Sequence, residues 1–115
     1  MVTTHELPAP AEPSKLHALL DEAGAAPRTR PSPERRSQLD IELRAEIRRL
    51  IPLVQRQADR INHGTRAWYS RDKALAEARD ELTQGLSPSS LGGSLRLAAL
   101  GRVVRGLDQF AGGES

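Results

Sequence analysis

The side chains that could move a proton or hold a metal are three histidines, His5, His17 and His63, and the close carboxylate pairs Asp72/Glu77 and Asp80/Glu81. General acid–base chemistry at neutral pH needs a group whose pKa is shifted by burial or by a neighbouring charge. Helical spacing puts each of these carboxylates on a polar face, where neither influence operates. His63 follows a long helical pattern, where an imidazolium suits the negative end of the helix dipole, so capping is its expected role. The chain has no cysteine, which excludes disulfides, thiolate nucleophiles and cysteine-ligated metals. Gly92-Gly93 follows no strand, so it is a join into a helix and not a phosphate cradle. No catalytic residue, no cofactor and no metal site is expected, and the chain does not read as an enzyme.

Arginine supplies 15 of the 17 basic residues, against 15 acidic ones, for a formal charge of +2. The pI near 9.7 therefore reflects arginine's high pKa more than a strong positive field. Residues 28–60 are the most basic part, and Arg28, Arg30, Arg35 and Arg36 form the densest cluster. Arg49, Arg56 and Arg60 share one stripe of a helix. Together these seven could contact phosphates. Glu42 shares the stripe, however, and Glu46 stands in pairing range of Arg49. A helix-turn-helix reading around Asn62-His63-Gly64 places Arg66, Arg71, Lys73 and Arg79 on the second helix. That helix also carries Asp72, Glu77, Asp80 and Glu81, which a polyanion would repel. Three aromatic residues cannot build a stacking platform for single strands. Nucleic-acid binding is disfavoured and kept as the alternative.

These residues must be held by a small core. Of 43 hydrophobic residues 15 are alanine, leaving 28 larger apolar side chains, enough for one core and no second. Ser32-Pro33-Glu34 is a strong helix start. Leu39, Leu43, Ile47, Leu50, Val54, Ala58 and Ile61 then recur at helical spacing up to Gly64. Pro52 lies roughly opposite this stripe, predicting one long kinked helix, with two shorter helices as the alternative. Trp68, Leu75 and Leu82, flanked by Ala67, Ala74 and Ala78, mark a second helix ending near Thr83. A third runs from about Leu91 to Ala111, with Leu97, Leu100, Val103, Val104, Leu107 and Phe110 as its core candidates. Ser14 to Gly24 predicts a short helix over about 14–23, presenting Leu16, Leu19, Leu20 and Ala23. Ala25 to Pro31 reads as a flexible linker.

The expected fold is all-α: an antiparallel three-helix bundle with a kinked long helix and a short N-terminal helix. Residues 1–31 are expected as a largely disordered arm around that short helix. Residues 32–111 are expected as the bundle domain and 112–115 as a flexible tail. The start, Met1 to Pro8, lacks the features of a secretory signal. The longest apolar run, Leu97–Leu100, falls far short of the ~20 residues a membrane span needs. A cytoplasmic location with no membrane contact is expected.

Two places suggest a partner. Leu91, Leu95 and Ala98 lie opposite the buried stripe of the last helix, beside Arg102 and Arg105, an apolar strip with a basic rim. Either a protein partner or a second copy covers it, or the N-terminal helix does so with Asp21 and Glu22 meeting Arg102 or Arg105. Arg71 shares a face with Trp68 and Leu75. It either packs there, with its guanidinium in solvent or stacked on Trp68, or meets the partner.

Three segments resemble a small actinobacterial family. They are Leu43-Arg44-Ala45-Glu46-Ile47-Arg48-Arg49-Leu50-Ile51-Pro52-Leu53-Val54, then Glu77-Ala78-Arg79-Asp80-Glu81-Leu82 with Leu91-Gly92-Gly93 after it, and the arginine-spaced run from Leu95 to Leu107. The family is a domain of unknown function found mainly in streptomycetes and often labelled "natural product biosynthesis protein". The resemblance covers roughly Leu39 to Phe110 and departs from the family's pattern around Trp68-Tyr69. It implies an association with specialised metabolism and brings no catalytic residues. The resulting expectation is a small accessory or regulatory protein that acts by protein–protein interaction.

Overall fold

The computed structural model describes residues 13–113, and His5 lies outside them. Four helices follow one another: α1 (Pro13–Thr29), α2 (Pro33–Asp59), α3 (Arg66–Thr83) and α4 (Ser90–Gly113). No strand occurs among the described residues. No helix among them is long and apolar enough to cross a membrane.

Hydroxyl caps set the starts of three helices. The Ser32 hydroxyl accepts the Arg35 N–H at 3.1 Å, with Pro33 at the first helical position. Thr65 accepts from the Trp68 N–H at 3.2 Å and Ser89 from the Gly92 N–H at 2.9 Å. Each cap satisfies an otherwise orphaned donor and contributes about 1 kcal/mol. α2 runs through Pro52 without a break, so it is one helix and not two. Pro52 and Arg48 are both exposed, so water can solvate the Arg48 carbonyl that proline deprives of a donor. Gly64 takes the positive φ of +90° expected of it, but in the turn beyond the helix rather than at its last residue.

The core follows the helical stripes. Leu39, Leu43, Ile47, Leu50, Val54 and Ala58 of α2 meet Leu97, Leu100, Val104 and Leu107 of α4, all buried. α3 adds only Leu75 and Ala78 as buried residues, with Trp68, Ala74 and Leu82 half-buried against them. Side-chain bonds give the directions. Arg36 reaches the α3–α4 loop at one end of α2, and Gln57 donates to the Phe110 carbonyl at the other, so α2 and α4 run the same way. Arg44–Gln84 and Arg71–Gln57 place α3 antiparallel to α2. α4 packs against all three other helices, whereas no contact joins α1 and α3.

The N-terminal helix departs from expectation. It does not end at Gly24 but continues through Gly24 and Pro27 to Thr29, so the expected flexible linker over Ala25 to Pro31 is mostly helix. It stops where Arg30 adopts a left-handed φ of 51°, its N–H bonding the Ala26 carbonyl at 2.8 Å. Packing explains the extra turns: Ala26 is as fully buried as Ala23, which rewards helix beyond the glycine. Gly101 is what lets α1 come so close, because a Cβ there would stand 3.2 Å from the Ala23 Cβ. The meeting of Asp21 or Glu22 with Arg102 or Arg105, one of the two alternatives for this face, does not occur. Glu22 instead takes a two-pronged hydrogen bond from Arg35, both contacts at 2.6 Å. α2 starts only four residues after α1 ends, so it is the nearer source of a cation.

Two outcomes test this account of α1. Gly24 is exposed and helical, with nothing within 4 Å of a Cβ placed there. Gly24→Ala should raise the stability measured by urea unfolding by about 0.5–1 kcal/mol; a loss would place the helix end at Gly24. The Arg35 hydrogen bonds, and then its charge, hold Glu22 below the ordinary glutamate range although burial pushes the other way. A lowered folded-state pKa contributes stability above the unfolded pKa and loses it as pH falls through the folded value. The stability gap between the native chain and Glu22→Gln should therefore close as pH drops below the ordinary glutamate range. Solvent keeps that gap small, and one that is constant with pH would remove the ion pair from the account.

Candidate functional site

On the outward side of α4, Leu91 and Leu95 stand one turn apart and remain 47% and 51% exposed. α1 reaches the neighbouring edge of that face, burying Ala98 and Gly101, and stops short of the two leucines. So the N-terminal helix covers part of the strip and leaves its start open. Arg102 and Arg105 extend the face along α4, both exposed. Neither makes a hydrogen bond or ion pair among the described residues, and the same is true of Arg28 and Asp21 on α1. Of the other large exposed apolar residues, Tyr69 on α3 stands edge-on to Trp68 with ring centres 5.1 Å apart, and Ile41 on α2 borders a hollow with Pro33 and Pro88.

Most of the other arginines are engaged inside the chain. Arg36 is buried and donates to the Pro31 carbonyl at 2.8 Å and, at 3.4 Å, to that of Pro88. It ties the α1–α2 turn to the α3–α4 loop. Its stem explains Gly93, where a Cβ would lie 3.1 Å from the Arg36 Nε and 2.9 Å from the Ser87 carbonyl oxygen. Arg35 is held by Glu22 and Gln38, Arg49 by Glu46 at 2.8 Å, and Arg30 bonds the Pro27 carbonyl. Of the seven possible phosphate contacts, Arg28, Arg56 and Arg60 are the others, all exposed. Arg71 does not stack on Trp68. Its guanidinium lies 4.7 Å from the Phe110 ring centre and donates to Gln57 and to the Ala67 carbonyl. It fastens the start of α3 to the ends of α2 and α4.

The groups considered for chemistry stay apart. His63 sits in the turn after α2, stacked on Trp68 with ring centres 4.6 Å apart, rather than capping the helix. Asp72, Glu77 and Asp80 are exposed, and Glu81 forms an ion pair with Arg96 at 2.5 Å. Among the described residues no three His, Asp or Glu side chains cluster as metal ligands do. A shallow hollow between Pro33, Ile41 and Pro88 has Arg36 and Asp40 on its wall. Both of these are bonded within the fold.

Sequence reasoning missed Arg44 as a structural anchor. This buried residue donates to the carbonyls of Glu81, Leu82 and Gln84 at 3.2, 3.3 and 2.5 Å, and to Asp40 at 2.7 Å. It supplies a cation to the negative end of α3, where backbone acceptors would otherwise lack donors. Asp40 four residues earlier was the only local signal; the carbonyls come from residues nearly 40 positions away. Arg44→Ala should cost about 2–4 kcal/mol in urea unfolding, since it leaves several acceptors and the Asp40 charge without their partner. Arg48→Ala, on the exposed face one turn on, should change stability by less than about 0.5 kcal/mol. Equal effects would deny Arg44 this role.

No curated protein and no solved structure matches the chain. A family of unknown function, DUF6415, matches residues 13–111, beginning at the first residue of α1 rather than near Leu39. With α1 to α3 and all but the last two residues of α4 inside the matched region, the chain belongs to the DUF6415 family of unknown function.

Proposed function

We propose that this protein is a small helical accessory or regulatory protein that works by docking another protein on the outer face of α4. In this reading it is not an enzyme and uses no cofactor. Its resemblance to actinobacterial natural-product biosynthesis proteins suggests a setting in specialised metabolism. The observation that carries the proposal is the half-exposed pair Leu91 and Leu95, left open by α1 and flanked by unpaired Arg102 and Arg105. Complete burial of a leucine stabilises by about 1.5–3 kcal/mol, so roughly half of that remains to be gained at each. A specific interface needs about 800 Å² from each partner. The two leucines would form only its centre, with the arginine rim steering approach.

The alternative, weak non-specific nucleic-acid binding through Arg28, Arg30, Arg35, Arg36, Arg49, Arg56 and Arg60, loses support from the internal bonding of Arg35, Arg36 and Arg49. A polyanion would have to compete with Glu22 and Glu46 for two of these cations. Affinity purification from the native host with the native chain and with Leu91→Asp/Leu95→Asp tests the docking reading. A stoichiometric protein should be retained by the first and lost with the second, while circular dichroism stays helical. Loss of helicity in the variant would make the leucines core residues and end the proposal. Retention on DNA that falls steeply with salt, and falls further in Arg49→Glu/Arg56→Glu, would favour the alternative.

A further inference from the structure

Resting on that docking reading, we infer that the occupant of the α4 face is an acidic amphipathic helix of another protein. Charge selects it. α1 runs antiparallel to α4 with Ala23 against Gly101. Counted in opposite directions from that pair, Arg28 falls level with the turn of α4 that carries Leu95. The face thus has three unpaired cations, Arg28, Arg102 and Arg105, against two unpaired carboxylates, Asp21 on α1 and Glu77 on α3, which shares a hollow with Arg102. A second copy docked through the same face would set three cations against three, with only Asp21 and Glu77 to answer them in each chain. An acidic partner is opposed only by Asp21 and Glu77, fewer than the three guanidiniums, each of which can take a carboxylate in a two-pronged bond.

The shape selects a helix. Leu91 and Leu95 at i and i+4 make a ridge along the start of α4 that α1 leaves uncovered. An apolar stripe at helical spacing fits such a surface, laying one more helix alongside α4. Nucleic acid would satisfy the arginines but gain nothing from the two leucines that separate them from the start of the helix.

The test uses the full chain and three synthetic helical peptides of about four turns that share one leucine stripe. Their flanking positions carry glutamate, glutamine or lysine. Fluorescence anisotropy should show the glutamate peptide binding at least about tenfold more tightly than the glutamine peptide, and the lysine peptide not at all. The preference should shrink as salt rises above ~0.1 M. Arg102→Glu with Arg105→Glu should reverse the order. Leu91→Asp with Leu95→Asp should abolish binding of the glutamate and glutamine peptides while circular dichroism is unchanged. Equal binding of the glutamate and glutamine peptides, lost in the leucine variant, would overturn the acidic partner and leave the docking face standing. Failure of every peptide to bind, or binding indifferent to the leucine change, would sink both. Concentration-dependent dimerisation in sedimentation that the leucine change removes would make a second copy the occupant. A labelled oligonucleotide that needs the two arginines but not the leucines would give the face to phosphate and refute the proposal.

Discussion

The close approach of α1 to α4 decides which part of the molecule is left for function. Ala23 and Gly101 can come together only because neither carries a bulky side chain, and Ala26, one turn further along α1, is equally buried. A larger residue at Gly101 would lift α1 away and open the core beneath Leu16 and Leu20. With α1 seated, Ala98 is covered while Leu91 and Leu95 are not. The exposed pair is therefore a consequence of where one helix docks, and not of a hydrophobic surplus spread over the surface.

The same economy governs the arginines. A chain with 28 larger apolar residues cannot close every helix end and loop with hydrophobic contacts. Arg36, Arg44 and Arg71 do that work instead, each reaching across the fold to backbone or side-chain acceptors. Arginine suits it because one planar fork satisfies several acceptors and its long stem packs like an apolar chain. Arg28, Arg102 and Arg105 lack such acceptors and project into solvent around the open leucines. The basic character suggested by the pI is thus partly taken up by interior fasteners, while other arginines, Arg48, Arg56 and Arg66 among them, stay exposed elsewhere on the surface.

The helical stripes of α2 and α4 were legible from spacing alone: Leu39, Leu43, Ile47, Leu50, Val54 and Ala58, with Leu97, Leu100, Val104 and Leu107, are buried as their periodicity requires, whereas Ile61, Val103 and Phe110 are only partly so. So were the Ser32 cap and the positive φ at Gly64, because both depend on a few adjacent residues. The extent of α1 was not legible. Glycine and proline argue locally for a stop at Gly24 and again at Pro27, and burial of Ala26 against a helix some 70 residues away outweighs them. Leu91, Leu95, Arg102 and Arg105 could be placed on one face by counting. Whether α1 covered that face could not be counted.

By itself, then, the sequence determined four helical segments, the faces they bury and the absence of any strand pattern. Those properties arise from interactions within a few turns of one helix. Only the tertiary structure decided that Arg71 lies over Phe110, that Arg44 closes the end of α3, that Glu22 pairs with Arg35, and that Leu91 and Leu95 stay open. Each of these depends on the relative placement of separate helices. That placement is set by how small residues such as Ala23 and Gly101 let backbones approach, which no periodicity along the chain encodes.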